Sequence, residues 1–214
     1  MNEPREKQTS WTMDDSTVAS NPGQLEASVV CWLWHKPLWP FIWAGGLVGS
    51  LLLAIFVHWS FGFLAAFFAL ANFFYWMRIK EQFRSGCANP GVIVSLYPTL
   101  LAVSTDLTKG IGHYPVIKIM KTSLSKVAGQ PVEIGTRVPT VAVYQMGMDE
   151  KLPHWVDFFP QPVDFVTSDP AVVKRVLNTF TASDWQELED WLKQMPQPYR
   201  PGLYFVLTGT DTSR

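Results

Sequence analysis

The sequence predicts an α+β protein: a two-helix transmembrane hairpin followed by a small β-rich domain, a curved sheet or partly open barrel with two short helices. Three observations support this. A long uncharged apolar stretch occupies residues 37–77. Segments rich in β-branched residues follow it, and helical periodicity returns only near the C-terminal end. Strands that precede short helices in this order are typical of α+β domains.

Residues 1–30 are predicted to form a disordered acidic and polar tail. Acidic residues outnumber the basic Arg5 and Lys7, and large aliphatic side chains are scarce. Such a segment buries too little apolar surface to offset the entropy that it would lose on ordering. It is not expected to be a secretory signal, because no apolar run begins early in it. The two cysteines, Cys31 and Cys87, are consistent with a reducing, cytosolic setting.

Residues 31–84 are predicted to form the transmembrane hairpin, with spans at about 38–57 and 61–77. One straight helix over the whole uncharged stretch would reach roughly 60 Å, about twice the thickness of the hydrocarbon core. Two crossings fit, with His58, Trp59 and Ser60 as the turn. The alternative, an apolar hairpin buried in a soluble protein, is disfavoured because the uncharged stretch exceeds what a soluble core needs.

The residues that flank the spans predict their orientation. Aromatic side chains suited to the membrane interface lie at both ends: Trp32, Trp34, Trp39, Trp43, Tyr75 and Trp76. Lys36 precedes the first span, Arg78, Lys80 and Arg84 follow the second, and the turn has no basic residue. The positive-inside rule therefore predicts an integral plasma or inner membrane protein with both termini cytoplasmic.

Two small-xxx-small pairs lie in the spans, Gly45 with Gly49 and Ala65 with Ala69. Such pairs let helix backbones approach closely in lipid. Packing between the two helices of the hairpin is the favoured interpretation, and homodimerisation is the alternative. The spans contain no acidic or basic residue, which disfavours an ion pathway, and two spans could form a channel only as an oligomer.

Residues 85–214 are predicted to form a cytoplasmic α+β domain. Its candidate strands are 91–98, 100–108, 115–124, 136–145, 163–168 and 202–208. Pro139 is expected to mark an edge strand or a bulge, because proline cannot donate to a sheet ladder.

Two short helices are predicted between the last two strands. Asp169 is a good N-cap with Pro170 at the first helical position, and that helix is expected to end near Asn178. The second helix is expected to begin near Ser183, which forms a capping-box pattern with Gln186. Its apolar face repeats at spacings of three and four: Trp185, Leu188, Trp191, Leu192 and Met195.

The order of a membrane hairpin and a small β-rich domain resembles the layout of NfeD-like proteins, which is an analogy of architecture alone. The segments "GCANPGVIVS", "YPVIK", "GTRVPTVAVY" and "PYRPGLY", spread over residues 86–204, resemble an uncharacterised bacterial family of membrane-anchored domains. That resemblance implies no activity.

Motifs for catalysis and cofactor binding are absent from the sequence. "GIGHYP" at residues 110–115 contains only the first half of a dinucleotide fingerprint, and neither a P-loop nor G-x-S-x-G occurs. Cys31 and His35 are four residues apart, but two ligands do not make a structural zinc site. We therefore expect no metal and no cofactor.

Three residues support the alternative of an enzyme at the membrane face. His154 and Asp157 are three apart and could form an oriented base, although packing of this aromatic segment on the sheet is the simpler interpretation. Cys87 could be a reactive thiol if Arg84 lowered its pKa. A structural role for Cys87 is favoured.

A basic patch that faces lipid is also predicted, formed by Lys109, Lys118, Lys121, Lys126 and Arg137. Each basic residue near an anionic leaflet contributes roughly 1 kcal/mol. A solvated edge strand protected by lysines is an equally good interpretation. Nucleic-acid binding is disfavoured because the net charge is only −1.

The predicted function is therefore a non-enzymatic, membrane-anchored interaction or scaffold module at the inner leaflet. Its partners would be the lipid bilayer and either an unknown protein or a second copy of the chain. An enzyme at the membrane face and an oligomeric channel or transporter accessory subunit are the alternatives.

Overall fold

The structure is a computed structural model that describes residues 19–147 and 152–207, so residues 1–18 of the predicted tail lie outside the described residues. The helices are α1 (Val29–His35), α2 (Leu38–Phe56), α3 (Phe61–Ser85), α4 (Pro170–Leu177) and α5 (Ala182–Lys193). The strands are β1 (Cys87–Leu96), β2 (Thr99–Asp106), β3 (Pro115–Lys121), β4 (Lys126–Val127), β5 (Gln130–Pro131), β6 (Arg137–Gln145), β7 (Asp157–Pro162) and β8 (Gly202–Phe205). A 3-10 turn occupies Val163–Phe165. The predicted fold class is confirmed: two long apolar helices precede a curled antiparallel half-barrel with short helices.

α2 and α3 are both long and apolar enough to cross a membrane. They pack against each other through Gly46, where an added Cβ would collide with the Phe68 ring. α3 does not stop where the predicted span ends but continues for two more turns to Ser85. Those turns are helical because Ile79 and Phe83, four residues apart, are buried against the domain.

Six strands form the half-barrel in the order β7-β6-β1-β2-β3-β8, all antiparallel. β4 and β5 form a separate two-stranded ribbon. The side chains of Ile93, Leu101, Val116 and Val138 are fully buried, so the sheet carries a continuous apolar core.

The fifth predicted strand is misplaced. β7 covers Asp157–Pro162, and the segment expected to be a strand from residue 163 begins with the 3-10 turn. Pro139 also lies within a strand that pairs on both sides, not on an edge. Pro139 on β6 faces Pro90 on β1. The pairing of β1 with β2 begins one residue after Pro90, and the pairing of β6 with β7 begins one residue after Pro139. At both prolines a missing N–H therefore removes no ladder bond.

The two C-terminal helices begin with N-caps. Asp169 accepts a hydrogen bond from the Ala171 N–H at 2.8 Å, with Pro170 next to it, as predicted. The second helix begins earlier than expected, because its capping box joins Thr181 and Asp184 and does not use Ser183 and Gln186. Thr181 accepts from the Asp184 N–H while the Asp184 carboxylate accepts from the Thr181 N–H.

Part of the segment predicted to be a disordered tail, residues 19–28, is ordered. Residues 19–28 lie along the end of α3 and the start of β1: the Gly23 N–H donates to the Gly86 carbonyl at 3.0 Å, and the Leu25 N–H to the Phe83 carbonyl at 3.1 Å. Leu25 is buried. Sequence reasoning missed both this segment and α1, whose side-chain cap is Ser28.

The half-barrel has two distinct ends. The end formed by the β1–β2 turn, residues 122–136 and the 3-10 turn is called the anchor end. It adjoins the start of α2, because the Phe165 ring stacks on His35 at 4.5 Å and lies 5.3 Å from Lys36 Nζ. The Ala128 N–H, which donates to Asp164 Oδ1 at 2.8 Å, ties the β4–β5 ribbon to the same end. The opposite end, formed by the 107–114 loop and by the parts of β6 and β7 near Gln145 and Asp157, is called the far end.

Candidate functional site

An open cleft of about 1380 Å³ lies beside the end of α3, between that helix, α5 and the far end of the sheet. Its lining includes Glu81, Cys87, Asp106, Tyr144, Glu187 and Trp191. The cleft forms because β1 starts, and β2 and β6 end, at the same level of the sheet, so their terminal side chains converge. Its volume is above the range usual for small-molecule sites, and it is open to solvent.

A network of uncharged polar groups forms part of the cleft wall. The Thr105 hydroxyl donates to Asn89 Oδ1 at 3.0 Å and lies 2.6 Å from the Tyr144 hydroxyl. Thr140 Oγ1 donates to the Asn89 carbonyl at 2.9 Å. Asn89 and Thr140 are buried, so the network satisfies polar groups that would otherwise be costly inside the sheet.

The network stays uncharged at neutral pH. Burial raises the pKa of Tyr144 well above its usual value, and the neighbouring Cys87 thiol raises it further. A phenol that holds its proton can donate or accept a hydrogen bond but cannot act as a base. Tyr144 is therefore suited to orienting a polar group in the cleft.

Asp106 organises the loop that borders the cleft. Its Oδ1 accepts from the Thr108 N–H at 2.9 Å and from the Tyr114 N–H at 2.8 Å. Its Oδ2 lies 2.6 Å from Nδ1 of the exposed His113. The "GIGHYP" segment is thus a turn held by one carboxylate, and Gly110 adopts a positive φ of 118° there.

Charges of both signs line the cleft. Arg78 and Lys109 contribute positive charge, and Asp184 and Glu187 contribute negative charge. Lys109 lies over the Trp155 ring at 5.2 Å, which holds its charge beside an aromatic surface. Mixed charge, aromatic rings and neutral hydrogen-bonding groups are suited to binding a polypeptide segment.

Within the described ranges, no group of three or more His, Cys, Asp or Glu side chains is placed to hold a metal ion. Cys31 and His35 both lie on α1. His35 stacks on Phe165, and burial, followed by the charge of Lys36, lowers its pKa. These contacts give His35 a packing role.

The residues that supported an enzyme are separated. Asp157 accepts from Lys118 Nζ at 2.8 Å, whereas His154 Nδ1 lies 2.8 Å from the Trp155 carbonyl. No hydrogen bond or ion pair joins His154 to Asp157 in the part of the chain that the structure describes. Cys87 is half-buried in the cleft, with its Sγ 3.9 Å from Ser20 Oγ.

The small-residue pairs face different surroundings. Ala65 is buried, whereas Ala69 is exposed. An added Cβ at Gly45 or Gly49 would meet nothing within 4 Å, so neither glycine packs against α3. Gly46, which sequence reasoning did not single out, provides the close helix contact instead.

The five basic residues do not form one patch. Lys118 is engaged by Asp157 and by the Phe158 carbonyl, and Lys109 lies at the far end. Arg137 lies over the Trp185 ring at 4.6 Å, with Glu189 at 3.6 Å. Lys121 and Lys126 are exposed and lie at the anchor end.

Comparison with known proteins adds a family and one similar structure. The family described as "Protein of unknown function (DUF3239)" matches residues 76–196. The chain is also similar to a crystal structure described as that of a putative membrane protein from Corynebacterium diphtheriae. The two are 20% identical with a TM-score of 0.48, and the match covers 56% of this chain and 99% of that chain. No curated protein matches the sequence significantly.

Proposed function

The chain belongs to the DUF3239 family of proteins of unknown function, and on that premise we propose that it is a membrane-anchored binding module. In this proposal α2 and α3 cross the bilayer as a hairpin. They hold the α+β domain at one membrane face, where its cleft binds a partner protein.

The observation that supports this proposal is the apolar surface left uncovered on α2 and α3. Only 11% of the most apolar window of either helix is buried within the structure. Large side chains that are more than half exposed include Phe41, Ile55, Phe56, Phe63 and Phe67. Contact with water would cost about 25 cal/mol for each Å² of such surface, whereas lipid covers it without that cost.

The proposed orientation is cytoplasmic for the domain. Lys36 and Arg78 lie on the segments that enter and leave the hairpin at its domain end, and the His58–Ser60 turn contains no lysine or arginine. Basic residues are retained on the cytoplasmic side of a membrane. Both termini of the chain would then be cytoplasmic and the turn would lie outside.

Cysteine labelling in intact cells tests this orientation. Both native cysteines are first replaced by serine, and a single cysteine is introduced at Trp59 in the turn or at Ile111 in the domain. Both positions are exposed. A membrane-impermeant maleimide should label Trp59→Cys in intact cells and Ile111→Cys only after lysis. The reverse pattern, or recovery of the protein in the soluble fraction without detergent, would overturn the proposal.

We propose a binding role for the domain and not an enzymatic one. The cleft brings together a neutral polar network, aromatic rings and side chains of both charges, a combination suited to recognition. The candidate catalytic groups support this proposal, because Asp157 is occupied by Lys118 and His154 by a backbone carbonyl.

Photocrosslinking tests the binding role. A photoreactive amino acid replaces Glu187 in the cleft, or Gln130 in the β4–β5 ribbon as the control, since both are exposed. In native membranes the first variant should form a discrete adduct that the control lacks. Equal adducts from both positions, or none from either, would contradict binding at the cleft.

A second copy of the chain is the alternative partner, favoured by the open surface beside Gly45 and Gly49. If this face joins two hairpins, Gly45→Leu and Gly49→Leu should abolish crosslinked oligomers in membranes. Unchanged crosslinking would exclude this face, and with it an oligomeric channel or transporter accessory subunit assembled through it.

A further inference from the structure

We propose that the anchor end of the half-barrel is itself a lipid-contacting surface, on which Tyr97 and Ile134 enter the headgroup region of the bilayer that holds the hairpin. This inference rests on the proposed function, because it requires the hairpin to be inserted. It adds a second membrane contact, made by the domain and not by the spans.

The direction of the strands places this end against the membrane. Residues 21–28 run back along the end of α3, from Ala88 past Phe83, to the 3-10 turn, where the Ser28 N–H donates to the Val166 carbonyl at 2.9 Å. α1 then leads directly to α2. β7 and the 3-10 turn that follows it therefore run towards the bilayer, from Asp157 to Phe165.

β1 runs the same way. It is antiparallel to β6, which is antiparallel to β7, so β1 and β7 are parallel in direction. β1 begins at Cys87 beside the end of α3 and returns towards the membrane. It ends at the β1–β2 turn, which is therefore carried to the bilayer side of the domain.

The side chains exposed at this end are those that favour a membrane interface. Tyr97, in the β1–β2 turn, is 96% exposed, and Ile134, just before β6, is 67% exposed. A tyrosine ring is suited to the headgroup level because one end is apolar and the other polar. Nothing in the part of the chain that the structure describes covers either side chain.

The charge at the anchor end also fits an anionic lipid surface. Lys36, Lys121 and Lys126 are exposed there, and Glu133 is the exposed acidic residue near Ile134. Lysines close to an anionic leaflet are attracted to it. Of the predicted basic patch, Lys121 and Lys126 lie at this end, which they share with the exposed Tyr97 and Ile134.

Fluorescence quenching in nanodiscs tests the inference on the full-length protein. An environment-sensitive label is placed at Tyr97→Cys, at Ile111→Cys on the far end, or at Phe63→Cys in the second span, in a background of Cys31→Ser and Cys87→Ser. The three native side chains are 96%, 84% and 71% exposed. The nanodiscs contain phosphatidylcholine and phosphatidylglycerol with a lipid that bears a shallow nitroxide.

Labels at positions 63 and 97 should be quenched and blue-shifted, and the label at 111 should not. If 63 is quenched but 97 behaves like 111, the lipid-contacting surface is overturned and the anchored module stands. If 63 is not quenched, the proposed membrane anchor itself fails.

Charge reversal at the lysines of the anchor end gives a second test, which compares the same label in proteins of different charge. With the label at position 97, Lys121→Glu combined with Lys126→Glu should lose quenching in phosphatidylglycerol nanodiscs. The matched control, Lys109→Glu at the far end, should keep it. Equal quenching in all three proteins would remove the electrostatic part of the inference.

Discussion

Lys118 Nζ on β3 lies 2.8 Å from Asp157 Oδ1 on β7, although three strands separate β3 from β7 in the sheet. The same ammonium donates to the Phe158 carbonyl at 2.6 Å. A flat sheet could not bring these strands together. The ion pair therefore spans the open side of the half-barrel, and the sheet curls far enough to bring β3 and β7 into contact there.

Replacing Lys118 by methionine should loosen this closure. The loss leaves the Phe158 carbonyl without the Lys118 donor and leaves the half-buried Asp157 carboxylate with the Phe158 N–H but without its counter-charge, which should lower the free energy of unfolding by about 1–3 kcal/mol. Urea unfolding of the full-length protein in detergent measures the change. Lys193→Met, which removes the exposed pair of Lys193 with Asp190, is the control and should leave the midpoint unchanged. A midpoint that shifts equally in both variants would count against closure by Lys118.

Phe83 should behave as a core residue of the domain although it lies on the helix that continues the second candidate span. It is fully buried and packs edge-on against Trp32, with ring centroids 6.0 Å apart. Phe83→Ala should destabilise the domain by about 3–5 kcal/mol. Phe205→Ala, at a side chain that is more than half exposed, should cost much less. Equal unfolding curves for the two variants would show that the end of α3 does not belong to the core.

Gly46 should be the glycine on which hairpin packing depends. A leucine there would collide with the Phe68 ring, whereas leucine at Gly45 or Gly49 meets open space. Gly46→Leu should therefore increase protease sensitivity of the hairpin in detergent, with the other two variants as matched controls. If Gly46→Leu proved as resistant as Gly45→Leu, the helices would not pack through this face.

Asp164 should make stability depend on pH in an unusual direction. Burial raises the pKa of this carboxyl from 3.8 to about 6, and its Oδ2 is buried with no hydrogen-bond partner among the described residues. The folded protein thus holds this proton more tightly than the unfolded chain. Its contribution to stability should be fully present below pH 4, fall as the pH rises towards about 6, and then level off about 3 kcal/mol lower.

Asp164→Asn isolates this effect. The amide has no charge to bury and keeps an oxygen that can accept from the Ala128 N–H. Relative to wild type, the variant should gain stability between pH 4 and pH 6 and stay more stable at pH 7. A difference between the two proteins that does not change with pH would show that Asp164 does not titrate in this window.

The fold was predictable where a pattern is local. The length and lack of charge of the 37–77 stretch predicted the two long helices, and alternating β-branched residues predicted most of the sheet. The 3-10 turn at Val163–Phe165 was mistaken for a strand because a short apolar run does not specify its backbone. The order β7-β6-β1 depends on pairings between distant segments, which no local pattern contains.

The cleft was harder to predict for the same reason. Asn89, Thr105 and Tyr144 come from three strands, and only the register of β1 with β2 and β6 brings them together. One signal was present: Asn89 lies between Ala88 and Pro90 at the start of β1, and Thr105 follows the apolar run of residues 100–103 in β2. The spacing of His154 and Asp157 favoured a pair, but Asp157 accepts a hydrogen bond from Lys118, which is 39 residues earlier in the chain.

The continuity of α3 has a mechanical consequence. One unbroken helix extends from Phe61 in the second span to Ser85 beneath the sheet, and Gln82 fastens it to β6 and β7 by donating to the Val141 and Phe159 carbonyls. A span in a thinner bilayer adapts by tilting. Because no hinge separates the helix from the sheet, the proposed anchoring would make the whole domain lean with α3, and bilayer thickness would then set the angle at which the cleft is presented.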